Sequence, residues 1–108
     1  MELLDTTRSG SALTVRLSGE LDHDAANQMR GEIDELLTDG GIRNLVLDLK
    51  ELRFMDSSGV GFVIGRCKKL ARRGGAVRVT NADARMRRIF EMSGLYEIVE
   101  AQEYGRSK

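Results

Sequence analysis

The sequence predicts one α/β domain built on a mostly parallel or mixed sheet with packed helices. Short apolar stretches with a period of two alternate with longer stretches whose apolar residues recur every three or four positions. Glycine pairs or capping residues separate the stretches. The chain has 108 residues, enough for one core and too few for two.

In "SALTVRLSGEL", Leu13, Val15 and Leu17 fall on one side and Thr14, Arg16 and Ser18 on the other. That alternation predicts a strand with one buried face, ended by Gly19. The preceding "ELLDTTR" is placed to pair with it as a hairpin across Ser9-Gly10-Ser11. Asp22 to Asp24 offer helix caps, and Ala26, Met29, Ile33, Leu36 and Leu37 form an amphipathic stripe stopped by Gly40-Gly41. "NLVLDL" is nearly continuous in apolar character and predicts an inner strand covered on both faces. A second helix buries Val60, Val63, Ile64, Cys67, Leu70 and Ala71, with Lys68, Lys69, Arg72 and Arg73 in its last turns. After Gly74-Gly75, "AVRVT" is a short strand. Asn81 is expected to cap a third helix that buries Met86, Ile89 and Phe90 and stops at Gly94. "YEIVE" is a candidate last edge strand, and residues 101–108 are expected to fray. The expected order is β-β-α-β-α-β-α-(β), with a core over about 3–100.

Composition excludes several function classes. Seventeen basic residues balance 17 acidic ones, so no net field draws the chain to nucleic acid or anionic lipid. Two tyrosines and three phenylalanines offer little for base stacking. No apolar run is long enough to cross a bilayer, and the N-terminal stretch does not read as a signal peptide. The single Cys67 forms no internal disulfide, which suits a reducing cytoplasm. A cytoplasmic protein with no cofactor of its own is the expectation.

The polar stretch "FMDSSGVG", Phe54 to Gly61, stands where a strand feeds a helix, the position at which such sheets carry their sites. Four roles are open to its serines. Asp56, Ser57 and Ser58 are ordinary helix-capping residue types. A nucleophile elbow needs G-x-S-x-G, but Met55 and Asp56 occupy the positions two before each serine. The only histidine is His23, a surface first-turn residue beside two aspartates rather than half of a triad. The glycines Gly59, Gly61 and Gly65 give G-x-G-x-x-x-G, which is neither the dinucleotide fingerprint nor a Walker loop. Lastly, a hydroxyl at an exposed helix start can accept a phosphoryl group, whose charge the helix dipole tolerates while a docked partner does not. Physical chemistry permits capping and phosphoacceptance alike.

Three segments in order, "LSGELDHDAANQMRGEI", "IRNLVLDLKELRFMDSSGVGFVIGRCKKL" and "IFEMSGLYEIV", resemble the STAS domain, and within it the bacterial anti-sigma factor antagonists. The resemblance implies a small mixed sheet of four to five strands, with three or four helices packed mainly on one face. It implies partner switching: the unphosphorylated protein binds an anti-sigma factor with serine kinase activity and releases a sigma factor. Phosphorylation of Ser57 by that kinase ends the binding, and a PP2C-type phosphatase restores it. Ser57 is thereby the expected phosphoacceptor ahead of Ser58. Asp22, Asp56, Ser57, Ser58, Gly59 and Gly61 are the expected partner-binding residues, on a non-catalytic protein that is a monomer alone. Val60 stands where the family more often has leucine, and Cys67 where an aromatic is common; both fall on the buried stripe. The alternative within the fold is a fixed accessory subunit of a transporter or a stress-sensing scaffold, in which the serines do not switch.

Overall fold

The computed structural model describes residues 4–95. They form β1 (Leu4–Ser9), β2 (Ala12–Leu21), α1 (His23–Leu36), β3 (Asn44–Met55), α2 (Ser57–Ala71), β4 (Ala76–Thr80) and α3 (Ala84–Ser93). The order expected from periodicity holds as far as Gly94. The expected strand at Tyr96–Glu100 and the tail lie outside the described residues.

Glycine makes the hairpin. Ser9 pairs with Ala12, leaving Gly10-Ser11 as a two-residue turn, and Gly10 takes φ 60°. A glycine at the first central position suits the right-handed twist of the flanking strands. The sheet order is β1-β2-β3-β4, with β1 antiparallel to β2 and β2, β3 and β4 mutually parallel. Leu13, Val15 and Leu17 of β2, Leu45, Leu47 and Leu49 of β3, and Val77 and Val79 of β4 are all buried on one face. Ala26, Met29 and Ile33 of α1, Val60, Val63 and Leu70 of α2, and Met86 and Phe90 of α3 complete the same core. On the other face Arg16 and Arg78 are exposed and Val46 is half-buried. The inner strand is therefore covered mainly on one face, not both. Its apolar run is interrupted by Asn44 and Asp48 on the second face.

The end of β2 and the second half of β3 depart from the reading of the sequence. Gly19 does not end β2. With φ 84° it sits inside the strand, which continues to Leu21. β3 likewise runs past "NLVLDL" to Met55. Arg16 pairs with Asp48 but Ser18 with Glu51, and Gly19 pairs with Leu52 but Glu20 with Phe54. Each jump gives β3 one residue more than β2, the signature of a bulge. Burial on β3 accordingly changes from every second residue (Leu45, Leu47, Leu49) to every third (Leu52, Met55). The two strands still finish together, with Leu21 opposite Met55. This pairing brings the starts of α1 and α2 side by side.

Several polar side chains act over long range. Asn81 does not cap α3; Asp83 does, accepting from the Met86 amide at 2.8 Å. Asn81 adopts φ 61° and donates from Nδ2 to Asp48 Oδ1 at 2.8 Å. Arg73 is not simply a solvated cation. It donates to the carbonyls of Leu37 at 2.6 Å, Ile42 at 2.9 Å and Asp39 at 3.2 Å. These bonds satisfy the C-terminal end of α1. That helix ends at Leu36, before Gly40-Gly41. Ala71, expected in the core, is exposed, while Phe62 and Arg66 are buried in its place.

Two expected results follow from buried titratable groups. Burial pushes the Asp48 carboxyl up, but bonds from Asn81, the Lys50 amide and Arg16 outweigh it, and the net direction is down. A depressed folded-state value stabilises the fold above the unfolded value near ~3.9 and loses that contribution as pH falls through the folded value. Urea midpoints recorded from about pH 5 to about pH 2.5 should fall less steeply for Asp48→Asn than for the wild type. Burial also pushes the Cys67 thiol up to about 11, against a smaller opposite pull from Arg66. The thiol is protonated and covered, so a disulfide reagent at pH ~8 should label the native protein far more slowly than the urea-unfolded chain.

Candidate functional site

Parallel strands β2 and β3 deliver two aspartates to one edge of the sheet. Asp22 follows Leu21 and caps α1, its Oδ1 accepting from the Ala25 amide at 3.0 Å. Asp56 follows Met55 and caps α2, its Oδ1 accepting from the Ser58 amide at 2.9 Å. The Asp56 carbonyl takes the next two amides, Gly59 at 3.0 Å and Val60 at 3.4 Å. Both caps are in extended backbone, which is the geometry the strand already supplies. Capping is thus assigned to Asp56 and not to the serines.

The capping leaves Ser57 and Ser58 free for other roles and places them differently. Ser57 is the first residue of α2 and is exposed; Ser58 is half-buried. Gly61, one turn on, is exposed, and a Cβ there would meet nothing within 4 Å. Gly59, expected on the binding surface, is buried instead. A Cβ at Gly59 would fall 2.5 Å from Met55 Cγ and 3.1 Å from Leu21 Cδ2. Its contribution is to let the first turn of α2 sit directly on the two strand ends.

Two hollows flank this edge. One, of about 420 Å³, is lined by Glu20, Asp22, Asp24 and Arg53 among others, so its rim is mainly acidic. The other, of about 270 Å³, lies between α1 and α2 and is lined by His23, Asn27 and Arg30 on one side and Ser58, Gly61 and Phe62 on the other. His23 lies with Nε2 3.4 Å from Asn27 Nδ2; among the described residues no hydrogen bond joins it to either serine. The arrangement therefore offers an exposed hydroxyl on the first residue of a capped helix. Among the described residues no group of three or more His, Cys, Asp or Glu is placed to hold a metal ion. No helix among them is long and apolar enough to cross a membrane.

Reading of the sequence missed the polar contact beneath this edge. Arg66 on α2 is 6% exposed, with Nε 3.1 Å from Asp34 Oδ1 on α1 and its guanidinium carbon 5.3 Å from the Phe62 ring. Burial lowers the Arg66 pKa and Asp34 opposes that shift. The available signal was Phe62 and Arg66 at i and i+4, which places an aromatic ring under a cation on one helix face.

The comparisons agree with the fold. The STAS domain pattern matches residues 4–104. The anti-sigma F factor antagonist of Paenibacillus polymyxa is 42% identical over 87 residues, which cover 81% of this chain and 74% of that protein. The solved structure of the anti-sigma factor antagonist SpoIIAA in its unphosphorylated form is similar with a TM-score of 0.71 at 33% identity, over 82% of each chain. The structure of the Bacillus cell fate determinant SpoIIAA in the phosphorylated form gives 0.73 at 34% identity, over 94% of this chain and 93% of that one. With a mixed four-stranded sheet, helices on one face and D-S-S-G opening α2, the chain belongs to the STAS domain family.

Proposed function

We propose that this chain is an anti-sigma factor antagonist that works by partner switching. In the unphosphorylated form it binds an anti-sigma factor, and a sigma factor is released. Phosphorylation of Ser57 ends that binding. The observation that carries the reading is the exposure of Ser57 as the first residue of an Asp56-capped helix, one turn from a bare glycine surface at Gly61. A partner can approach such a surface closely, because it bears no bulky side chain. A phosphoryl group there adds roughly −1.5 to −2 charges, which a desolvated interface cannot tolerate. The existence of a phosphorylated and an unphosphorylated SpoIIAA structure supports the same reading.

The anti-sigma factor is the kinase in this scheme, and a PP2C-type phosphatase resets the serine. Asp22, on the neighbouring helix start, extends the contact surface alongside Asp56 and Ser58. The protein itself catalyses nothing, holds no cofactor and acts in the cytoplasm as a monomer.

Capture from native lysate tests this with four baits at equal loading: wild type, Ser57→Ala, Ser57→Asp and Gly61→Arg. Wild type and Ser57→Ala should retain a small ATP-binding protein. Ser57→Asp and Gly61→Arg should retain at least about tenfold less of it. A Cβ at Gly61 meets nothing within 4 Å, so unchanged melting of Gly61→Arg assigns its loss to the surface. Equal retention by all four baits would remove the switch and favour a fixed accessory subunit.

A further inference from the structure

Ser57 and Ser58 are adjacent in sequence but face different surroundings. Ser58 lines the groove between α1 and α2; Ser57 does not. Arg30 stands across that groove, its Nη2 donating to Asn27 Oδ1 at 2.6 Å. One bond to Asn27 leaves the other N–H donors of the guanidinium available. Among the described residues no carboxylate lines the groove. Against Phe62, one of its walls, Arg66 is 6% exposed, and its Nη1 is buried without a hydrogen-bond partner among the described residues. Burial, and after it the charge of Arg30, lowers the Arg66 pKa, and Asp34 is the counter-charge. The hollow on the other side of α1 has the opposite character, with Glu20, Asp22 and Asp24 on its rim. The groove therefore sets one exposed arginine, Arg30, across from the half-buried Ser58 hydroxyl, with the Asp34-paired Arg66 behind the Phe62 wall.

We propose that the α1–α2 groove is a receiving site for a phosphoryl group carried on Ser58, with Arg30 as its counter-cation. A phosphoryl group on Ser57 stands in solvent, where a partner meets it. One on Ser58 is drawn back onto the chain's own arginine, which neutralises it in part. Guanidinium and phosphate match in geometry as well as charge. The donor is a nucleoside triphosphate held by a kinase. The Ser58 Oγ–P bond forms as the bond between the γ-phosphorus and the β,γ-bridging oxygen breaks. The hydroxyl proton passes to the kinase's base, and the nucleoside diphosphate leaves. The inference rests on reading the serine pair as a phosphoacceptor region, but not on which partner it controls.

The test uses full-length protein with phosphoserine placed by translation at position 58 or at 57, and a ³¹P NMR titration. The charged and titratable groups around the groove are His23 and Arg30 on α1, Asp34 further along it, Arg66 on α2, and the caps Asp22 and Asp56. A histidine titrates in the same range as phosphoserine, so every sample carries His23→Gln. The second pKa of phosphoserine 58 should lie roughly 0.5–1 unit lower with Arg30 than with Arg30→Gln. Phosphoserine 57 should change by less than about 0.2 unit on the same substitution. Arg30 is exposed, so the variant should fold. Equal values for phosphoserine 58 with and without Arg30 would overturn the proposal. A saturable response of the unmodified protein to inorganic phosphate, with phosphoserine 58 unaffected by Arg30→Gln, would make the groove a free-anion site and overturn it too. Neither reading involves partner capture, so failure here is separable from failure of the switch at Ser57.

Discussion

Gly75→Ala should destabilise the domain by about 3 kcal/mol. A Cβ at Gly75 would lie 1.7 Å from the Arg43 carbonyl oxygen and 2.7 Å from its carbon. Those are backbone atoms, so no rotamer change relieves the overlap. Arg43 cannot move freely either. Its carbonyl accepts from the Ala76 amide at 3.1 Å, opening the β3–β4 pairing. Its own amide donates to Ser11 at 2.8 Å, beside the β2–β3 pairing. Displacing Arg43 therefore loosens three strands at one end of the sheet. Gly74 provides the control. It has φ 72° but open space around it, so Gly74→Ala carries only the left-handed backbone cost of about 1–2 kcal/mol. Urea unfolding of both variants should rank Gly75→Ala as the more damaging. The reverse order would mean that backbone conformation, and not the approach of Arg43, decides this turn.

Element order was legible because periods of two and of three to four are local properties of the chain. The hairpin at Gly10, the stripe from Ala26 to Ile33 and the stop at Gly94 each depend on neighbours within one turn or one strand. The misreadings involve partners far away in sequence. Asn81 looked like a cap because its residue type suits one, but its side chain is used by Asp48, 33 residues earlier. Arg73 looked like a solvated last-turn cation, yet it closes the end of α1, with Leu37 36 residues away. Gly19 looked like a strand terminator because β2 alone does not reveal that β3 carries two extra residues opposite it. Leu49, Leu52 and Met55 held the signal, an apolar spacing of three that a regular strand does not explain. At the site, the capped helix start and the exposed serine were legible from "FMDSSGVG". The place of Asp22 beside them came from the family resemblance and not from local pattern, since it follows from the register that sets Leu21 opposite Met55. The burial of Gly59 was not legible, since it depends on the same two side chains.

Phosphorylation of Ser57 should weaken binding of the anti-sigma factor at least about 100-fold, or about 2.7 kcal/mol, while leaving the fold intact. Two physical effects of one group separate these outcomes. Within the domain, the charge arrives at the N-terminus of α2, where the helix dipole and the first amides favour an anion. Ser57 is exposed, so no packing is lost when the group is added. The melting temperature should change by no more than about 2 °C, since the dipole and the repulsion from Asp56 oppose each other. Across an interface, the same group must shed its water against a surface that fits a hydroxyl beside Gly61. The cost then falls almost wholly on the complex.

The direct measurement is a calorimetric titration of the anti-sigma factor recovered by wild-type capture into two forms of this protein. One is unmodified and the other carries phosphoserine at position 57, confirmed intact by mass spectrometry. The account predicts one-site binding for the unmodified form, and for the phosphorylated form an affinity at least about 100-fold lower with an unchanged circular dichroism spectrum. Equal affinities for the two folded forms would contradict it, leaving Ser57 as an exposed first-turn residue with no part in switching.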